Sequence, residues 1–236
     1  MKEYKVKCVV IDPGHGGKDP GTLGKFSKEK NITLKIALKL GKIIEKNFKD
    51  VKVIYTRTTD KFVPLRARAN IANKNNADLF ISIHCNAFLD TRIQGTETYI
   101  MGLHTSVSNL EVAKRENAVI LMEDDYEENY QGFVPNSSES HILFSLYQNA
   151  YNENSLKLAQ SIEYQFQNRL GRKSHGVKQA GFLVLWQTSS PSVLVEVGFL
   201  SHRQEEKYLS DSLGQTYIAS GIFRAFRDYK NDIEAK

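Results

Sequence analysis

Three side chains that could do chemistry each come at or just beyond the end of a short apolar segment. His15 lies in a glycine-rich turn after the aliphatic residues 9–11, His84 follows residues 79–83, and Glu196 follows residues 193–195. Apolar runs of this length are typical of strands with both faces buried. Because the carboxyl ends of parallel strands meet at one edge of an open α/β sheet, we expect these side chains to lie close together there.

Glu29 stands at the predicted start of the helix that follows the His15 loop, so the chain can return it to the same sheet edge. Two imidazoles and one glutamate are a common catalytic zinc set that leaves a fourth position for water. The sequence therefore predicts one zinc ion held by His15, Glu29 and His84. Glu196 would lie outside the metal shell, take a proton from water and pass it to a leaving group.

A structural interpretation stays open for these residues taken singly. A histidine beside glycines can simply belong to a turn, and a glutamate at a helix start is favoured by the helix dipole. Glu196 is harder to explain in this way, because an unpaired charge in an aliphatic strand requires a purpose. The remaining histidines fall in predicted loops and are expected at the surface: His104, His141, His175 and His202.

Strand and helix patterns alternate along the first half of the chain, which predicts a largely parallel sheet. Strand patterns occupy residues 9–13, 51–57, 79–83, 95–100 and 193–197, and helical patterns include residues 31–48 and 65–74. We predict an α/β fold with one domain over residues 1–236 and a mostly parallel central sheet of about six strands flanked by helices. Residues 103–150 interrupt the rhythm as an insert with a helical segment near 110–122.

Composition excludes several other classes of protein. The net charge is only +5, and the chain has no run of basic residues with interleaved aromatics, so nucleic acid is not an expected partner. The glycines near His15 match neither the GxGxxG nor the GxxxxGK[ST] spacing, so no nucleotide site is predicted. No apolar stretch approaches the length of a transmembrane helix. Two cysteines do not make a disulfide framework.

Taken together, the motifs resemble those of the zinc-dependent N-acetylmuramoyl-L-alanine amidases, which cut peptidoglycan, and they follow the family's order along most of the chain. The segments that carry the resemblance are IDPGHGG at 11–17, EKNITL at 29–34, TR at 56–57, residues 65–73, FISIHCNA at 80–87, VKQAGF at 177–182 and PSVLVEVGF at 191–199. The resemblance implies a fold like that of the zinc peptidases and phosphorylases. It also implies one Zn²⁺ on His15, Glu29 and His84, with Glu196 as the catalytic carboxylate.

The resemblance further implies hydrolysis of the amide between N-acetylmuramic acid and L-alanine, in cell-wall remodelling or daughter-cell separation. We therefore expect an exported protein, periplasmic or associated with the cell wall, whose signal peptide is not part of this sequence. Its substrate partner would be peptidoglycan, and we expect a monomer. Two alternatives stay open: another zinc-dependent peptidoglycan peptidase or deacetylase, and a non-catalytic module that binds the cell wall.

The resemblance also suggests a role for the insert at residues 103–150. Similar amidases use an insertion here as a regulatory helix that covers the active site until an activator protein displaces it. A glutamate of the insert would then occupy the position of the water on the metal. Glu139 and the glutamates between Glu111 and Glu128 are unranked candidates. A merely decorative loop is the alternative.

Overall fold

A computed structural model describes residues 5–124, 126–145 and 151–235 of the chain. The strands are β1 (Cys8–Pro13), β2 (Lys52–Tyr55), β3 (Leu79–Asn86), β4 (Thr96–Met101), β5 (Ser174–Ala180) and β6 (Ser192–Phe199). The helices are α1 (Glu29–Asn47), α2 (Leu65–Lys74), α3 (Val107–Asn117), α4 (Tyr126–Asn129), α5 (Ser138–Ser145), α6 (Asn152–Leu170), α7 (Leu183–Trp186), α8 (Arg203–Ser210) and α9 (Ser212–Glu234). Of the helices described here, none is long and apolar enough to cross a membrane.

The strands form one sheet in the order β2-β1-β3-β6-β4-β5. Neighbouring strands run parallel, apart from β6 and β4, which are antiparallel. This arrangement confirms the predicted α/β fold with a mostly parallel sheet of about six strands and flanking helices.

The two faces of the sheet carry separate hydrophobic clusters, because side chains alternate along a strand. Helices α1, α6 and α9 pack over residues such as Ile83 on one face. Residues of α2, α3 and α7 pack with Phe80 and Leu194 on the other. His84 and Glu196 lie an even number of residues from Phe80 and Leu194. They therefore belong to the face that α3 covers.

Strand β5 was not among the strands that the sequence pattern predicted. It lies at the edge of the sheet beside β4, and six of its seven residues are only half-buried. An edge strand of this kind needs no continuous apolar run, and Gly176 with φ +76° further interrupts the pattern.

The insert between β4 and α6 is helical, and it is part of the core. The predicted helix near 110–122 corresponds to α3 followed by a short 3₁₀ helix, Ala118–Met122. Apolar insert side chains join the second cluster: Val112, Ala113, Val119, Ile120, Tyr130 and Phe133. Asp125 and residues 146–150, which belong to the predicted insert, lie outside the described residues.

The expected surface position of His141 is wrong. This residue is completely buried on α5, where its Nε2 lies 2.9 Å from the carbonyl oxygen of Pro135. Its ring also packs edge-on against Phe133 at 5.0 Å between centroids. The segment that the sequence suggested as a polar loop is a helix, and this helix directs His141 inward.

Candidate metal centre and active site

His15 lies in a sharp turn whose backbone few residue types adopt. Its φ is +61°, and Gly16 and Gly17 follow with φ +129° and +58°. A non-glycine residue held at positive φ is uncommon and often belongs to a functional site. Gly14 is needed for space, because a Cβ there would lie 2.5 Å from Cε1 of His84.

The buried guanidinium groups of Arg57 and Arg68 hold this turn through its backbone carbonyl groups. Arg57 donates hydrogen bonds to the carbonyl oxygens of residues 13 and 14 at 3.0 and 2.7 Å, and Arg68 donates to that of residue 15 at 2.9 Å. Arg68 also donates to Asp12 at 2.8 Å. Burial opposes ionisation of Asp12, but Arg68 and two hydroxyl donors lower its pKa below the usual value. The strained turn is thus fixed by charge-assisted hydrogen bonds.

Glu29 is the first residue of α1, and its carboxylate is fully buried at the end of β3. Its Oε1 accepts a hydrogen bond from the amide of Cys85 at 2.7 Å, and its Oε2 accepts one from the amide of Thr22 at 2.7 Å. Burial opposes ionisation, but the charge of His15 and the contacts with the His15 and His84 rings hold the pKa of Glu29 at about 2. The side chain is therefore an oriented anion.

His84 and Glu196 are direct partners in the register of the parallel strands β3 and β6. Both side chains therefore lie next to each other near the carboxyl ends of these two strands. The spatial proximity predicted from the strand ends is present.

The side chains of His15, Glu29 and His84 meet those of a fourth residue, Glu116 of α3, and one ligand atom from each lies within 4.8 Å of all the others. Nε2 of His15 is 3.1 Å from Oε1 of Glu29 and 3.2 Å from Oε2 of Glu116. Nδ1 of His84 is 3.2 and 3.0 Å from the same two oxygens. Ligands about 2.1 Å from a zinc ion lie about 3.4 Å apart in a tetrahedron, so these separations fit zinc.

The hydrogen bonds of the group also fit a metal ion. Among the described residues, Nε2 of His15, Nδ1 of His84 and Oε2 of Glu116 have no hydrogen-bond partner, although they are buried and face one another. The other ring nitrogen of His15 lies 2.7 Å from Oδ2 of Asp19. A carboxylate in that position orients a ligating imidazole and leaves its second nitrogen free for the metal.

Glu196 is fully buried, and neither of its carboxylate oxygens has a hydrogen-bond partner among the described residues. Its nearest cation is Arg115 of α3, with Nη2 at 3.9 Å from Oε1. Burial and the neighbouring carboxylate of Glu116 raise the pKa of Glu196 well above its usual value. A group of this kind is suited to taking up and returning a proton.

Residues of α3 complete the site, and the sequence had not singled them out. Glu116 belongs to the group of candidate glutamates between 111 and 128, but nothing ranked it. Arg115 was not predicted; it donates to Oδ1 of Asn86 at 2.8 Å and to the carbonyl oxygen of Ala87 at 3.0 Å. Asp19 was also missed, although its position four residues after His15 is a usable signal.

The docking of α3 leaves almost no room beside the candidate metal ligands. The cavity lined by His15, His84 and Glu116 measures about 10 Å³, whereas sites for drug-sized ligands measure about 300–1,000 Å³. The C-terminal end of α3 is anchored by Asn117, which donates to the carbonyl oxygen of Gly181 at 2.7 Å and accepts from the amide of Leu183 at 2.9 Å. A cavity of this size cannot hold a peptide.

Several known proteins with similar sequences are described as N-acetylmuramoyl-L-alanine amidases. A family model described as N-acetylmuramoyl-L-alanine amidase matches residues 9–228. The amidase AmiC of Escherichia coli O6:H1 is 35% identical over 234 residues, which are 95% of this chain and 53% of that relative, so the chain spans about half its length. AmiA of Escherichia coli K12 is 33% identical, over 95% of this chain and 78% of the relative.

A solved structure is similar over almost the whole chain. The CwlD amidase of Clostridioides difficile, determined in complex with the GerS lipoprotein, has a TM-score of 0.69 and 26% identity, with 96% of this chain and 99% of that chain covered. The family match covers most of the chain. The chain belongs to the N-acetylmuramoyl-L-alanine amidase family.

Proposed function

We propose that this protein is a zinc-dependent amidase that hydrolyses the bond between the lactyl group of N-acetylmuramic acid and L-alanine in peptidoglycan. One observation carries the proposal. The ligand atoms of His15, Glu29 and His84 converge at the sheet edge beside Glu196, a buried carboxylate with no hydrogen-bond partner among the described residues. Family membership supports the choice of this amide over other amides.

His15, Glu29 and His84 would hold the zinc ion, with Asp19 orienting His15. Bound there, zinc would act as a Lewis acid that polarises the scissile carbonyl and lowers the pKa of water. Glu196 would accept a proton from the attacking water and then donate it to the departing amine of L-alanine. Its unpaired oxygens and raised pKa support both transfers.

We further propose that the domain is autoinhibited by its insert, at about residues 103–150. Glu116 would occupy the ligand position that water needs, and Arg115 would lie against Glu196. A single helix would thus obstruct both the metal and the proton carrier. The small cavity and the packing of the insert into the core support a plug rather than a decorative loop.

Opening the site would require a partner, because the contacts of α3 with the domain must be broken. We propose an activator protein that displaces the insert, and the CwlD amidase in complex with a lipoprotein supports this idea. The substrate implies that the protein acts outside the cytoplasmic membrane, in the periplasm or at the cell wall, and we expect it to act as a monomer.

Product analysis tests the proposed reaction. Purified protein is incubated with peptidoglycan and one equivalent of Zn²⁺, alongside a Glu116→Ala variant whose metal ligand position is open. We expect the Glu116→Ala variant to release free stem peptides that begin with L-alanine. A chelator should abolish this activity, and added Zn²⁺ should restore it.

Other products would contradict the proposal. Cleavage within the stem peptide would indicate a peptidase, and release of acetate would indicate a deacetylase. Binding of peptidoglycan without hydrolysis by the zinc-loaded Glu116→Ala variant would indicate a wall-binding module.

A further inference from the structure

Helix α8, which directly follows the strand of Glu196, carries a buried carboxylate that the proposed mechanism does not use. Glu206 is 1% exposed. Its Oε1 accepts hydrogen bonds from the amides of Phe26 and Ser27 at 2.8 and 3.0 Å and from Oγ of Ser27 at 2.8 Å. All three donors are neutral and lie about 180 residues earlier in the chain. Burying a carboxylate is costly, so this arrangement requires an explanation.

The three hydrogen bonds hold a tight turn at residues 23–28. Leu23 and Lys28 form an isolated antiparallel bridge, and the amide of Gly24 donates to the carbonyl oxygen of Ser27 at 3.0 Å. Glu206 fits closely against this turn, because a Cβ on Gly24 would lie 2.2 Å from its Oε1. The turn and the carboxylate are therefore matched in shape and in hydrogen bonding.

This turn leads directly into the metal ligand Glu29. Helix α1 begins at Glu29, and the capping position, Lys28, supplies no side-chain hydrogen bond. The start of α1 is instead set by hydrogen bonds across the turn. The amide of Glu29 donates to the carbonyl oxygen of Thr22 at 3.0 Å, and Oε2 of Glu29 accepts from the amide of Thr22 at 2.7 Å. The direction of the Glu29 carboxylate thus depends on the turn at 23–28.

We propose that Glu206 is a positioning residue for the metal centre, which fixes the turn at 23–28 and thereby holds Glu29 in its ligating direction. The inference rests on the proposed zinc site. Through its carboxylate, α8, which follows the strand of Glu196, contacts the turn that precedes Glu29. Among the described residues, Glu206 forms no hydrogen bond with the proposed metal ligands or with Glu196.

Zinc affinity, measured by competition with a chromogenic chelator, tests the proposal. Glu206→Ala removes the acceptor, and we expect it to weaken zinc binding by about 10- to 100-fold, as is typical for residues that orient metal ligands. Glu206→Gln keeps an acceptor oxygen and should restore most of the affinity. Gln204→Ala, an exposed change on the same helix, should bind zinc like the wild type.

The melting temperature of the metal-free protein separates positioning from a purely structural role. A structural role would lower the melting temperature and leave the zinc affinity of the folded variant unchanged. Zinc affinity of Glu206→Ala within twofold of the wild type would overturn the proposal.

A second variant keeps the test decisive if Glu206→Ala does not fold. Gly24→Ala retains every hydrogen-bonding side chain and pushes the turn away from Oε1, so we expect weaker zinc binding by about tenfold. Unchanged affinity in Gly24→Ala would also count against the proposal. If the wild-type protein itself binds no zinc, the proposed metal centre fails and the role of Glu206 fails with it, whereas zinc binding by the wild type and equally by Glu206→Ala overturns the role of Glu206 alone.

Discussion

Replacing Glu196 by glutamine is expected to lower the turnover of peptidoglycan by about 1,000-fold and to leave zinc binding unchanged. Glutamine has nearly the same shape, so the packing around residue 196 is preserved. It cannot accept a proton from water or return one to the leaving amine. Because Glu196 is not among the residues whose ligand atoms converge, the ion should remain in place.

The measurement uses a Glu116→Ala background, in which the site is open, and compares rates and zinc content per chain. Glu97→Gln is the matched control, since Glu97 is buried and opposite Glu196 in the register of β4 and β6. The Glu97 carboxylate is already engaged by Asn86, Tyr99 and Lys178. The Glu97→Gln control should keep a rate within tenfold of the Glu116→Ala background. A near-normal rate in Glu196→Gln would refute the catalytic assignment.

The second large effect is a gain of activity. Glu116→Ala removes the α3 carboxylate from the metal ligands, and a contact of this charged type contributes about 1.5–3 kcal/mol. Since 1.4 kcal/mol corresponds to a factor of ten, the population of open molecules and the basal rate should rise by about 10- to 100-fold. Arg115→Met should raise the rate less, because Glu116 would still reach the metal.

Point variants are preferable to deletion of the insert, because its apolar side chains belong to the core and their removal would expose that core. Glu111→Ala is the matched control: Glu111 lies on the same helix, but its side chain is 59% exposed. Its basal rate should equal that of the wild type. If Glu116→Ala is also no faster than the wild type, with zinc bound and the fold intact, then the insert is not a plug.

The fold was predictable where the strands are buried on both faces. Apolar runs such as residues 79–83 and 193–197 identify central strands, and the alternation with helices then implies a parallel sheet. The convergence of His15, His84 and Glu196 follows from that topology, since each lies at a carboxyl end. The edge strand β5 escaped detection because half-buried positions impose no regular apolar pattern.

Residues that reach the site through tertiary docking were less predictable. Glu116 is one of several glutamates in the insert, and only the rotation of α3 against the sheet distinguishes it from exposed neighbours such as Glu111. Arg115 is brought to Glu196 by the same docking. Glu206 supports a turn about 180 residues away, which no local pattern reveals.

The most direct test of the metal centre is anomalous X-ray scattering from crystals of the zinc-loaded Glu116→Ala variant, recorded on both sides of the zinc absorption edge. We expect one peak per chain, within bonding distance of Nε2 of His15, a carboxylate oxygen of Glu29 and Nδ1 of His84. No peak between these three side chains, or an ion held by other residues, would contradict it.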